Sequence, residues 1–281
     1  MPLATTGDLV AAAAAAGRGV AAFNVVTLEH AEGIVDGAHR AGAPAILQVS
    51  QNTVRFHAGV RPLSAALQAL AADATVPIGL HLDHIEDTDL WRQAPGAGYS
   101  SVMVDGGALP YDRNVAMTAD AAAWLHGRGL WVEAELGYVG GKDTQVVSAH
   151  APGVRTDPRQ AAEFVAATAV DALAVAVGSS HAMTTRTAEL DLDLIAALRR
   201  AVPVPLVLHG SSGVPDETLR AAVRAGMAKV NIGTALNIAY TTAVRSALST
   251  DTDTVDPRGA LRAARVAVAD AVAHLLDVVT G

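Results

Sequence analysis

Short apolar runs rich in Val, Ile, Leu and Ala recur along the chain. Between them lie longer stretches in which apolar residues return every three or four positions. The short runs predict buried strands at about 20–24, 45–49, 78–83, 101–105, 130–136, 172–177, 205–209 and 229–232. They lack the strict apolar/polar alternation of a half-solvated sheet, as parallel strands covered on both faces do. The longer stretches predict helices over 29–40, 63–72, 114–127, 158–168, 192–201 and 215–225, after an Ala-rich first helix behind Thr5 and Thr6. Helix punctuation agrees: Asp157-Pro158 and Pro215-Asp216-Glu217 put Pro or acid in first turns, and Gly42, Gly129 and Gly226 end helices before the next strand.

Strand followed by helix, repeated eight times, predicts an α/β fold: a single closed (β/α)8 TIM barrel over residues 1–281, with no domain boundary. The rival is an open doubly wound sheet, which often carries a Gly-rich fingerprint after its first strand; none is present here. Residues 138–156 show the weakest pattern and are long for a strand-to-helix loop, so they read as a mobile lid. The tail carries a last helix with Arg258, Arg262 and Arg265.

Composition narrows the chemistry. The formal net charge of −8 argues against a nucleic-acid surface, although local donors can still hold an anionic small molecule. Cysteine is absent, which removes disulfides, a thiolate nucleophile and Cys-type metal sites. Lys142 and Lys229 are the only lysines. The alanine run at 11–16 has neither a basic flank nor membrane length, so a soluble cytoplasmic protein that binds no membrane is expected.

Barrel active sites sit at the C-terminal ends of the strands. The polar residues falling there are Asn24, Ser50, Asp83, His84, Asp105, Glu133, Glu135, His181, His209 and Asn231. His84, His181 and His209 close or follow three separate strands. Three imidazoles and one open position make the ligand set of a catalytic zinc. Asp83 is the adjacent candidate base, but strand alternation turns it and His84 to opposite faces unless the chain bends there. His81, inside the third strand, reads as an orienting residue. His30, His39, His126 and His274 fall on helices and read as solvated. Gly210-Ser211-Ser212-Gly213 follows the seventh strand, and Asn231-Ile232-Gly233-Thr234 follows the eighth and opens a helix. Loops at these two places commonly cradle phosphate with backbone N–H groups and hydroxyls. Lys229 is placed at the start of the eighth strand, away from the site, which disfavours a Schiff base and leaves a Lewis-acid metal to stabilise a carbanion. Asn231, in the eighth strand, is a candidate hydrogen-bond donor to the reacting group.

These segments resemble the class II, zinc-dependent ketose-bisphosphate aldolases, the fructose- and tagatose-bisphosphate aldolase family. The matching runs are His81-Leu82-Asp83-His84, Glu133-Ala134-Glu135-Leu136-Gly137 with Gly140-Gly141, Ala174-Val175-Ala176-Val177-Gly178 before His181, Pro205 to Gly210, Lys229-Val230-Asn231-Ile232, and Asp256-Pro257-Arg258 with Arg262. The resemblance implies Zn²⁺ on His84, His181 and His209, with Asp105 and Glu135 at an alternative second metal position. It implies Asp83 as the acid/base residue. It implies that Gly210, Ser211, Ser212, Asn231, Ile232, Gly233 and Thr234 hold the phosphate and carbonyl of dihydroxyacetone phosphate. Ser50 joins the substrate-binding set, and Arg262 is assigned to the far phosphate, within the chain or from a neighbouring subunit. Related enzymes also use a monovalent cation (Na⁺ or K⁺) near the phosphate, and a homodimer or homotetramer is expected. The implied activity is reversible cleavage of fructose or tagatose 1,6-bisphosphate. The alternatives are a different ketose phosphate, another metal-dependent barrel enzyme, or a silent barrel that binds a sugar phosphate. The chain departs from the family pattern at Gly107, Lys142-Asp143, Ala182, Gly233 and Leu236.

Overall fold

The computed structural model describes residues 3–137 and 155–281. Its strands are β1 (Val20–Asn24), β2 (Ala45–Ser50), β3 (Ile78–Ile85), β4 (Ser101–Val104), β5 (Trp131–Leu136), β6 (Ala172–Val175), β7 (Leu206–Leu208) and β8 (Met227–Ile232). All pair in parallel with their sequence neighbours, and β1 pairs with β8, so the sheet closes into a barrel. The helices are α1 (Thr6–Ala15), α2 (Leu28–Ala41), α3 (Gln51–Phe56), α4 (Arg61–Asp73), α5 (Thr88–Trp91), α6 (Tyr111–His126), α7 (Pro158–Thr168), α8 (Leu192–Ala201), α9 (Asp216–Ala225), α10 (Thr234–Thr250) and α11 (Arg258–Thr280). The predicted (β/α)8 TIM barrel is the fold. The lid expected over 138–156 falls, at 138–154, outside the described residues.

The bounds of β1, α7 and α8 coincide with those the pattern predicts. Two short helices, α3 and α5, have no periodicity long enough to announce them. The hydroxyl of Ser50 caps α3 by accepting from the N–H of Thr53. α1 closes the N-terminal end of the barrel: its Leu9 and Val10 join Val20, Ala22, Ile46 and Ala228 in one small buried cluster. The main apolar core lies between the outer face of the sheet and the helices, around Phe23, Leu47, Leu82 and Phe164. Each large aliphatic buried there contributes about 1.5–3 kcal/mol relative to exposure. α2 lies close against α11, because a Cβ on Gly37 would come within 2.6 Å of the Ala269 carbonyl oxygen.

β8 begins at Met227, two residues earlier than the pattern suggests. The small residues before Lys229 hide that start. Lys229 is therefore not at the remote end of the barrel. It stands mid-strand with no solvent exposure, pointing into the barrel. His30, expected to be solvated, is buried and stacks on Tyr240 at 4.2 Å between ring centroids.

Candidate active site

Inward side chains alternate along a strand, so residues two apart share the barrel interior. On β3 these are His81 and Asp83; on β5, Glu133 and Glu135; on β8, Lys229 and Asn231. They form two polar layers where barrels ordinarily stack Val, Ile and Leu. The lower layer holds His81, Glu133 and Lys229, all without solvent exposure. The upper layer opens on a cavity of about 180 Å³ at the C-terminal mouth, lined among others by Asp83, His84, His181 and Asn231.

The alternation problem at Asp83 and His84 has a local solution. His84 adopts φ 51°, the left-handed region, where the β3–β4 register shifts between Leu82 and Ile85. This bulge turns successive side chains toward the same cavity. A non-glycine residue there is strained, which marks a position held by its surroundings. The Nδ1 of His84 donates to the Asp105 carboxylate at 2.8 Å.

Donor atoms of His84, Glu135, His181 and His209 all lie within 4.8 Å of one another. The rings do not stack face to face: His84 meets His209 at 64° and His181 at 76°. Three imidazoles and a carboxylate converging in this way match the N/O ligands and tetrahedral preference of Zn²⁺. Glu135 thus joins the histidine cluster, while Asp105 stands behind His84. His209 is fully buried. Its Nδ1 donates to Glu135 at 2.7 Å and its Nε2 to Glu133 at 3.0 Å. Burial alone would lower its pKa, but the two carboxylates push it up to about 9.

Asp83 receives one N–H on each oxygen: from Asn24 Nδ2 at 2.9 Å and from Asn231 Nδ2 at 3.3 Å. Asn24 accepts in turn from Gln48 Nε2 at 2.8 Å. Burial disfavours the Asp83 carboxylate, yet the nearby positive charge of His84, then of Lys229, holds its pKa below the usual value. Gln48 carries no motif. Its only sequence signal is a polar residue in an otherwise apolar run, two positions before Ser50.

The two glycine-containing loops meet at one side of the cavity. Gly210 has φ 66°, and a Cβ there would lie 2.6 Å from the Ser180 backbone. Ser211 donates to the Asn231 carbonyl oxygen, and Ser212 Oγ accepts from the Ala235 N–H at 3.1 Å. Gly233 and Thr234, at the start of α10, where the N-cap residue Gly233 has no side chain, complete this wall. Such a helix start is a ready anion site. Ala182, where the family pattern has Gly, takes φ 58° and also lines the cavity. Not all expected site residues gather here. Ser50 caps α3 at the end of β2 and does not line the cavity, Ile232 faces a separate outer cavity, and Arg262 is exposed on α11. No described residue lining the main cavity is Lys or Arg.

A closed parallel barrel with converging histidines, a carboxylate and a glycine- and hydroxyl-lined wall at its C-terminal mouth has the layout of a metal-dependent barrel enzyme. A family model described as "Fructose-bisphosphate aldolase class-II" matches residues 4–281, and the chain belongs to that family, which makes it a lyase. A fructose-bisphosphate aldolase of Staphylococcus epidermidis is 35% identical over 275 residues, covering 97% of this chain and 95% of that protein. Among solved structures, the YdjI aldolase of Escherichia coli K12 superposes with TM-score 0.83 at 31% identity, covering 99% of this chain and 97% of that one. The fructose-bisphosphate aldolase of Campylobacter jejuni, at 20% identity and TM-score 0.84 over 99% and 95% of the two chains, shares the fold. No helix of the described residues is long and apolar enough to cross a membrane.

Proposed function

We propose that this chain catalyses reversible, zinc-dependent aldol cleavage of a ketose 1,6-bisphosphate, fructose or tagatose, to dihydroxyacetone phosphate and glyceraldehyde 3-phosphate. The observation carrying this is the convergence of His84, His181, His209 and Glu135 beside the Gly210–Thr234 wall. The three histidines would hold the zinc. When bound, zinc supplies a Lewis acid for the negative charge that develops on the ketose oxygens.

The remaining steps fall to the chain's own groups. Breaking C3–C4 leaves the bonding electrons on C3 and takes the proton from the C4 hydroxyl. Asp83, kept as a carboxylate by two N–H donors, accepts that proton, and C3 then takes up one proton from solvent to complete dihydroxyacetone phosphate. Asn231 stands beside it to orient the carboxylate and to hydrogen-bond the enediolate. Gly210, Ser212, Gly233 and Thr234 anchor the phosphate of the dihydroxyacetone half, so the cleaved bond is fixed relative to Asp83. Asp105 sets the His84 ring through its Nδ1, as carboxylates behind metal-binding histidines commonly do. For assembly we infer a homodimer or homotetramer. The supporting feature is α10, which buries only Leu236 while Ile238 and Leu248 stay exposed.

A second substrate reading, a ketose with a single phosphate, draws on the absence of Lys and Arg among the described residues lining the cavity. A panel of ketose mono- and bisphosphates, assayed with added Zn²⁺, separates the two. Cleavage of fructose or tagatose bisphosphate supports the first, and cleavage of monophosphates alone supports the second. His209→Ala is expected to lose bound zinc and cleavage together. A variant that retains both would remove His209 from the ligand set.

A further inference from the structure

We propose that Lys229 is a positioning residue that holds both halves of the site from below. It fixes the Glu133 carboxylate under His209 and the Asn231 amide beside Asp83. This rests on the roles proposed above for His209 and Asp83.

An ammonium has three donors and no acceptor. The Lys229 Nζ lies 2.8 Å from a Glu133 oxygen and 2.7 Å from Asn231 Oδ1. Asn231 must therefore present its carbonyl to Lys229, which leaves its Nδ2–H for Asp83 at 3.3 Å. With the amide reversed, NH2 would face ammonium and a carbonyl oxygen would face the Asp83 carboxylate. The other Glu133 oxygen accepts from His209 Nε2 at 3.0 Å, which fixes that ring and aims its Nδ1 at the metal cluster. One cation thus links the two halves of the site. Hydrogen bonds run from Gln48 through Asn24 to Asp83, and from Lys229 through Asn231 to the same carboxylate. The Lys229–Glu133 contact is an ion pair, and Glu133 accepts from His209 on its other oxygen.

Stability does not account for the pair. A buried ion pair adds little or nothing relative to well-packed aliphatic residues, and aliphatic residues are the rule in this layer of a barrel. His81 cannot replace Lys229 as the counter-charge. Its Nδ1 is engaged with the Ser101 hydroxyl at 2.7 Å, and its Nε2 stands 3.8 Å from Glu133. A Schiff-base role is also excluded by position, since Nζ is paired twice and has no solvent exposure.

The test compares wild type with Lys229→Met and with the charge-neutral double variant Lys229→Met/Glu133→Gln. Zinc affinity by chelator competition and the separate kcat and KM for cleavage are the readouts. In Lys229→Met, zinc affinity should fall about tenfold or more, as losses behind a metal ligand do, and kcat should fall with KM little changed. In the double variant, the amide oxygen introduced by Glu133→Gln still accepts from His209, so zinc affinity should return to within about threefold of wild type. Its kcat should stay about tenfold low, because the Asn231 amide remains unfixed. Recovery of wild-type kcat in the double variant, or wild-type affinity and kcat in the single one, would overturn the proposal. If neither variant folds, ¹⁵N-lysine labelling of wild type decides. The chain has only two lysines, so the Lys229 ammonium is readily assigned. Its resonance should be protected from exchange and should shift on adding Zn²⁺; a signal unmoved by Zn²⁺ contradicts the proposal. Wild type that neither binds zinc nor cleaves any ketose phosphate would instead sink the proposed function.

Discussion

Gly233 leaves room for Asn24. A Cβ at 233 would lie 2.7 Å from Asn24 Oδ1, the atom that accepts from Gln48. Gly233→Ala should therefore push Asn24 off the Asp83 carboxylate and lower kcat about tenfold, the worth of one hydrogen bond to a charged group. Steady-state kinetics with an unchanged unfolding temperature would check this, and an unchanged kcat would show that Asn24 is not needed. At this scale the sequence is partly legible. His84, His181 and His209 stand out because each closes or follows an apolar run, and a histidine there has few structural reasons to exist. Asp83 is legible for the same reason. The grouping of Glu135 with the histidines, and of Asp105 with His84, depends on rotamers and barrel curvature that no one-dimensional pattern contains. The pattern misplaces Lys229 because Met227 and Ala228 give no strand signal of their own.

At the scale of elements, alternation of apolar runs and helical periodicity is enough to order the barrel, since each unit carries its own caps. What it misses are α3 and α5, which are held by single caps at Ser50 and Asp87 rather than by periodicity. The segment after the Gly210–Gly213 loop has a similar local anchor. Asp216, in the first turn of α9, accepts from Arg186, whose guanidinium also donates to the Val214 carbonyl at 2.7 Å, and from His274 on α11 at 2.9 Å. Slight burial raises the Asp216 pKa, but Arg186 and His274 bring it below its unfolded value of 3.8. A depressed folded pKa adds stability above the unfolded value, and that stability is lost as pH falls through the folded one. Asp216→Asn should therefore unfold at a lower temperature than wild type near neutrality. The difference should shrink as pH falls below the unfolded value of 3.8 and vanish once pH has passed the lower folded value, where wild type is protonated too. A gap that is constant with pH would mean that the Asp216 charge plays no part.

For the whole molecule, the barrel spends its interior on polar groups that an aliphatic filling would pack more simply. The lower layer carries Lys229, Glu133 and His81, and the upper layer carries the groups assigned to metal binding and proton transfer. The family match over 4–281 and the 35% identity to a staphylococcal fructose-bisphosphate aldolase place the chain among the class II aldolases. The central claim is that cleavage depends on a metal held by His84, His181 and His209. The direct measurement is ketose-bisphosphate cleavage by protein stripped with EDTA, with zinc content determined before and after Zn²⁺ is restored. The account predicts loss of activity with loss of zinc, and recovery at about one zinc per chain. Full cleavage by the zinc-free protein would contradict it.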